Sequence, residues 1–122
     1  MKVNIIYSRH GFSLGNLEEI VYGTSKEKDL GLTVFGKRES KIADGHIGKW
    51  LRDNKMHIDI AGTSPMKRTI QTFKIYFPNQ KVNIFPYIAS SRSEYSESYD
   101  KFLLWIIENI PLSDNITIFV VT

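Results

Sequence analysis

An α/β three-layer sandwich, with a mostly parallel central sheet and helices on both of its faces, is the fold class this sequence predicts. Short apolar, β-branched runs alternate along the chain with longer amphipathic stretches, as strand-helix-strand units require. Ile116-Thr117-Ile118-Phe119-Val120-Val121-Thr122 is the strongest strand signal of all. The 122 residues suffice for one core, and neither a repeat nor a linker divides them, so residues 1–122 read as a single domain.

Lys2 to Tyr7 is a short apolar run closed by Arg9-His10-Gly11, which reads as a buried strand. Leu14, Leu17, Glu18 and Val21 at helical spacing predict a short helix from Ser13 to Val21, and Tyr22 to Gly31 reads as a polar loop over the strand ends. Thr33 is a good N-cap, and Ile42, Ala43, Ile47, Trp50 and Leu51 form the apolar stripe of a helix to about Asn54. Its three glycines weaken it, at about 1 kcal/mol each against alanine. His57 to Gly62 alternates as a second strand, and Thr63-Ser64-Pro65 opens a third helix with the stripe Met66, Ile70, Phe73 and Phe77. Val82 to Phe85 predicts a third short strand. Pro86 to Asp100 lacks periodicity, which marks a functional loop or a partly disordered one, and Phe102 to Ile107 opens a fourth helix toward Asn109.

Composition narrows the function classes. The 42% hydrophobic and 24% charged content is ordinary for a soluble protein, and no stretch approaches the ~18 apolar residues of a membrane span. The start, Met1-Lys2 followed by five strand-like residues, lacks the apolar region of a signal peptide, so a cytoplasmic location is expected. With no cysteine and three scattered histidines, neither a disulfide framework nor a metal centre is expected, and no cofactor is implied. Net charge is +3, but the basic residues are interleaved with acidic ones as on solvated helix faces.

Chemistry concentrates at two strand ends. Arg9 offers a planar fork of donors to an oxyanion, neutral His10 offers a nucleophile, and Gly11 lets backbone approach a ligand, all at the carboxyl end of a strand where open α/β sheets place their ligands. A second strand end, Thr63-Ser64-Pro65, leads into a helix N-terminus with Arg68 one turn in, where free N–H groups and partial positive charge favour an anion.

Arg9-His10-Gly11 with Ser13 and Asn16, then Asp29-Leu30-Gly31-Leu32-Thr33 with Gly36, then Ser64-Pro65-x-x-Arg68-x-x-x-Thr72 follow one another in an order that resembles the histidine phosphatase superfamily, also called phosphoglycerate mutase-like. The resemblance runs from residue 3 to about residue 75. It implies a phosphomonoester hydrolase in which His10 becomes a phosphohistidine, Arg9 and Arg68 hold the phosphoryl oxygens, and Asn16 lies beside the phosphate. It implies an acid in the loop after the third strand, for which Glu94 and Glu97 are the candidates; Glu94 is chosen on its distance from Tyr87, although the usual leucine-arginine-glutamate context is missing. The physics agrees: a phosphoryl group in flight spreads charge over three oxygens, which fixed guanidinium groups stabilise, and nearby cations keep a histidine unprotonated.

In the family a second catalytic histidine follows the last core strand. The expectation is therefore a piece of a longer parent whose residue after Thr122 is histidine, or else a phosphate- or polyanion-binding relative with weakened or no activity. His46 and His57 do not replace it by motif. Gly31 to Arg38 nearly fits a nucleotide-binding P-loop, but Arg38 stands where Ser or Thr would bind magnesium. The expected partner is a small phosphorylated substrate or a phosphoprotein, with neither nucleic acid nor membrane, and the oligomeric state is unreadable.

Overall fold

The computed structural model describes residues 2–14, 30–88, 99–111 and 115–122. In chain order they form β1 (Lys2–Ser8), α1 (Val34–Asp53), β2 (Ile60–Thr63), α2 (Lys67–Tyr76), α3 (Tyr99–Asn109) and β3 (Asn115–Val121). The strands make one sheet in the order β1-β3-β2, and both pairs are parallel. The strand that is last in sequence is therefore central.

β3 shows why the sheet is sandwiched. It is buried from Ile116 to Val121, and side chains alternate between faces along a strand. Ile116, Ile118 and Val120 meet Phe102, Ile106 and Ile110 of the α3 layer, together with Phe85 and Ile88. Phe119 and Val121 point the other way, into a cluster with Ala61 of β2 and Phe73 of α2, joined by Ile47 of α1. One apolar heptapeptide thus supplies both cores. Helices cover both faces of the parallel sheet, as the sequence predicts, and among the described residues no helix is long and apolar enough to cross a membrane.

The elements follow local chemistry. Thr33 caps α1, its Oγ1 accepting the Gly36 N–H at 2.9 Å. α1 then runs unbroken past Gly36, Gly45 and Gly48 to Asp53. Gly36 has a packing reason, since a Cβ there would collide with the backbone of Phe12. Gly62 has another: a Cβ would sit 2.5 Å from the Phe85 ring that lies against β2.

Three expectations shift. The second strand begins at Ile60, not His57, because the Asp59 carboxylate takes the Thr117 N–H at 2.7 Å ahead of the ladder. The third helix starts at Lys67 with no side-chain cap at Met66; Ser64 is held in the sheet by the Val121 carbonyl at 3.1 Å and turns its hydroxyl to Thr69. Val82 to Phe85 is one parallel bridge, Ile84 to Thr63, instead of a strand. There the Asn83 side-chain amide donates to the Ala61 carbonyl at 2.9 Å, and Pro86 cannot donate to a longer ladder. Of the expected helix from Ser13 to Val21 only Ser13 and Leu14 lie among the described residues, and most of the two polar loops lies outside them.

Phe119 is 1% exposed, with the Tyr76 and Phe77 rings edge-on to it at centroid distances of 6.2 and 5.4 Å. Phe119→Ala should cost about 3–5 kcal/mol in urea unfolding, while Ile107→Ala on the open side of α3 should move stability by less than about 0.5 kcal/mol. Equal effects of the two would show that β3 is not the core.

Candidate active site

The site is built where β1 leaves the sheet. Beyond Ser8 the pairing with β3 continues, the Thr122 N–H donating to the Ser8 carbonyl and the His10 N–H to the Thr122 carbonyl, each at 2.9 Å. Extended backbone then sets Arg9 on the exposed side and His10 half-buried on the other. After His10 the chain passes between α1 and α2. The Gly11 N–H donates to Thr72 Oγ1 at 3.0 Å, and that hydroxyl donates to the Arg68 carbonyl at 2.9 Å. A Cβ on Gly11 would meet Ser40 Oγ and lie 2.6 Å from the Gly36 carbonyl oxygen, so only glycine passes this close to α1. Phe12 donates its N–H to Glu39 Oε1 at 3.0 Å, and its carbonyl accepts from the Thr33 N–H and hydroxyl at 3.0 and 3.1 Å. The loop is wedged on both sides.

His10 Nδ1 lies 2.6 Å from the Gly11 carbonyl oxygen. A carbonyl only accepts, so Nδ1 carries the proton and the lone pair belongs to Nε2. The imidazole is held below its ordinary titration range, first by burial and then by the positive charges of Arg68 and Arg9; the Gly11 carbonyl and the Glu39 carboxylate act in the opposite sense. Arg68, in the first turn of α2, is itself buried, at 4% exposure. Arg9, His10, Glu39, Ser40 and Tyr76 line a cleft of about 280 Å³. A neutral ring with an available lone pair, in the positive field of Arg68 and Arg9, can receive an electrophile that carries anionic oxygens.

Of the residues singled out from the sequence, Arg9 and His10 line the cleft, while Arg68 is not among its lining residues and acts on the imidazole through its charge, as Arg9 does. Asn16, Glu94 and Glu97 lie outside the described residues. His57 stands apart, its side chain 88% exposed and 4.0 Å from Asp59, and His46 on α1 borders a separate apolar hollow with Trp50. Sequence reasoning passes over Glu39 and Ser40 as part of a charged helix face. The available signal is the run Gly36, Glu39, Ser40, Ala43 at helical spacing, mostly small residues of the kind that lets a backbone come close.

No family model matches the chain. In sequence it is 37% identical over 73 residues to the 2,3-bisphosphoglycerate-dependent phosphoglycerate mutase of Haemophilus influenzae, a match covering 60% of this chain and 29% of the relative. The chain thus aligns with less than a third of that curated relative's length. In structure it is similar to a phosphoserine phosphatase variant of Entamoeba histolytica in complex with phosphoserine, with a TM-score of 0.61 at 15% identity over 99% of this chain and 74% of the other. The protein histidine phosphatase SixA complexed with tungstate superposes with a TM-score of 0.60 at 20% identity, over 100% of this chain and 69% of that one. The fold is the histidine phosphatase fold. Sequence and structural relatives together indicate the histidine phosphatase superfamily, whose mutases and phosphatases transfer phosphoryl groups.

The His10 environment has a measurable consequence. A histidine whose folded-state pKa is lowered binds its proton more readily in the unfolded chain; the stability it contributes is present above the ordinary imidazole value of 6.5 and declines as pH falls below it. An NMR titration of the His10 ring should give a midpoint below 6.5, and Arg68→Met, which removes the charge while keeping apolar volume, should raise it. A midpoint unmoved by Arg68→Met would place that guanidinium away from the ring.

Proposed function

We propose that this chain carries the phosphoryl-accepting half of a phosphomonoester hydrolase that works through a phosphohistidine on His10. The observation that supports this most is the imidazole itself: proton on Nδ1 at the Gly11 carbonyl, protonation of the ring disfavoured, and Arg9 and Arg68 both acting on it. In the first step the Nε2 lone pair attacks phosphorus and the phosphorus–oxygen ester bond breaks. The leaving alkoxide takes a proton from an acid, for which Glu94 is the candidate. Water then gives a proton back to that carboxylate and attacks phosphorus as the N–P bond breaks, returning inorganic phosphate, the free imidazole and the protonated acid.

Arg9 and Arg68 would hold the equatorial oxygens during transfer, with Asn16 assigned beside the phosphate by the family resemblance, and the cations' charge is worth most when the oxygens carry most. The substrate is a small phosphorylated molecule or a phosphoprotein. Arginine suits the task better than lysine because its planar donors match two phosphoryl oxygens at once.

The test is turnover of p-nitrophenyl phosphate by the protein and by His10→Ala, with acid quenching to trap phosphate on the chain. His10→Ala should lower the rate by about 10³-fold or more, and acid-labile phosphate should appear on His10 of the parent alone. Equal turnover by the two proteins removes His10 as the acceptor.

A further inference from the structure

Among the described residues, Glu39 is the one charged side chain lining the cleft that the proposed chemistry leaves unused. Its geometry gives it a task. The Phe12 N–H that it binds at 3.0 Å and the Gly11 carbonyl that meets His10 Nδ1 at 2.6 Å belong to the same peptide unit. In a planar trans peptide the N–H and C=O point in opposite directions. A carboxylate that pulls the N–H toward α1 therefore turns the carbonyl toward the imidazole.

We propose that Glu39 is a positioning residue for His10: by holding the Phe12 N–H it orients the Gly11–Phe12 peptide plane, and the opposed Gly11 carbonyl fixes the imidazole proton on Nδ1 and the lone pair at Nε2. α1 also holds the neighbouring peptide. Thr33 binds the Phe12 carbonyl, which belongs to the next plane, from the helix cap, while Gly36 and Ser40 leave no room for the loop to shift toward the helix. A neutral histidine without such a partner exchanges between two tautomers, and only one of them presents Nε2 as a nucleophile.

The carboxylate has a second, separable effect through its charge. Among the described residues, the charges that act on the ring are Arg9 from the loop, Arg68 from α2 and Glu39 from α1, and Tyr76 of α2 also lines the cleft. Glu39 opposes the two cations. Glu39→Gln keeps an oxygen to accept the Phe12 N–H and loses the charge, whereas Glu39→Ala loses both.

The experiment is nitrogen-15 NMR of the His10 ring in the parent, Glu39→Gln and Glu39→Ala, at a pH where the ring is neutral, with amide spectra to confirm that each variant is folded. The parent and Glu39→Gln should show the Nδ1–H tautomer and a hydrogen-bonded Phe12 amide. Glu39→Ala should show a tautomer mixture and a displaced Phe12 amide resonance. In Glu39→Gln the titration midpoint should fall further while the tautomer stays, separating charge from hydrogen bond. If folded Glu39→Ala keeps the Nδ1–H tautomer, the proposal is overturned. The kinetic arm rests on His10 being the phosphoryl acceptor: kcat should drop about 10–100-fold in Glu39→Ala with little change in KM, and Glu39→Gln should restore most of it. The tautomer result does not depend on turnover, so a failed His10→Ala assay and a failed Glu39 proposal are told apart.

Discussion

Two hydrogen bonds at the end of the β1 and β3 pair decide where the imidazole stands. Because the Thr122 N–H binds Ser8 and the Thr122 carbonyl receives the His10 N–H, the central strand dictates the height and direction of the residue that would do the chemistry. β3 can do so because it is the most buried element of the sheet and is anchored on both faces, by Phe102 and Ile106 on one and by Phe73 on the other. A shift of β3 by one residue would exchange the two faces of its side-chain pattern and break both cores. The site therefore inherits its precision from the register of the sheet.

The helices hold the chain beyond His10. Gly11 and Phe12 give their backbone groups to Thr72, Glu39 and Thr33, so the loop has few polar groups left to rearrange. Glycine occurs on both sides of this contact, Gly11 in the loop and Gly36 in α1, and each would drive a Cβ into the other segment's atoms. A helix that carries a glycine in its first turn gives up local stability, about 1 kcal/mol against alanine. Here that loss permits contact between helix and loop backbone, a separation too short for any side chain to fit between them.

This division explains what the sequence makes legible. β1, α1 and β3 can be read because one or both faces are apolar with a clean period, and Thr33 announces its cap by residue type. Val82 to Phe85 has the same composition as a strand, but Asn83 and Pro86 divert the groups that would extend its ladder, which is a matter of hydrogen-bond direction and not of hydropathy. In the site, Arg9 and His10 stand out by their place at a strand end. By spacing alone Arg68 looks like a solvated helix arginine; it is buried because α2 packs on α1 as well as on the sheet. Glu39 is hidden for a related reason. In a helix with lysines and arginines around it, a glutamate that binds a peptide N–H from another segment has no distinguishing mark.

The field around His10 resolves a conflict that any phosphohistidine chemistry must meet. The ring must be neutral to attack, yet it becomes cationic as its Nε2 bonds to phosphorus. Burial, Arg68 and Arg9 favour the neutral ring before the reaction. In the proposed reaction the charge developing on the ring would be felt at Nδ1, where the contact with the Gly11 carbonyl at 2.6 Å would change from an ordinary hydrogen bond to a charge-assisted one, roughly twice as strong. On the proposed reading the two guanidinium groups would be attracted to the phosphoryl oxygens, which offsets their growing repulsion of the ring. Stronger interaction in the transition state than before it is the condition for accelerating a step instead of merely binding its substrate. A peptide carbonyl suits the place opposite Nδ1 because a carboxylate in direct contact would have favoured protonation of the ring from the start.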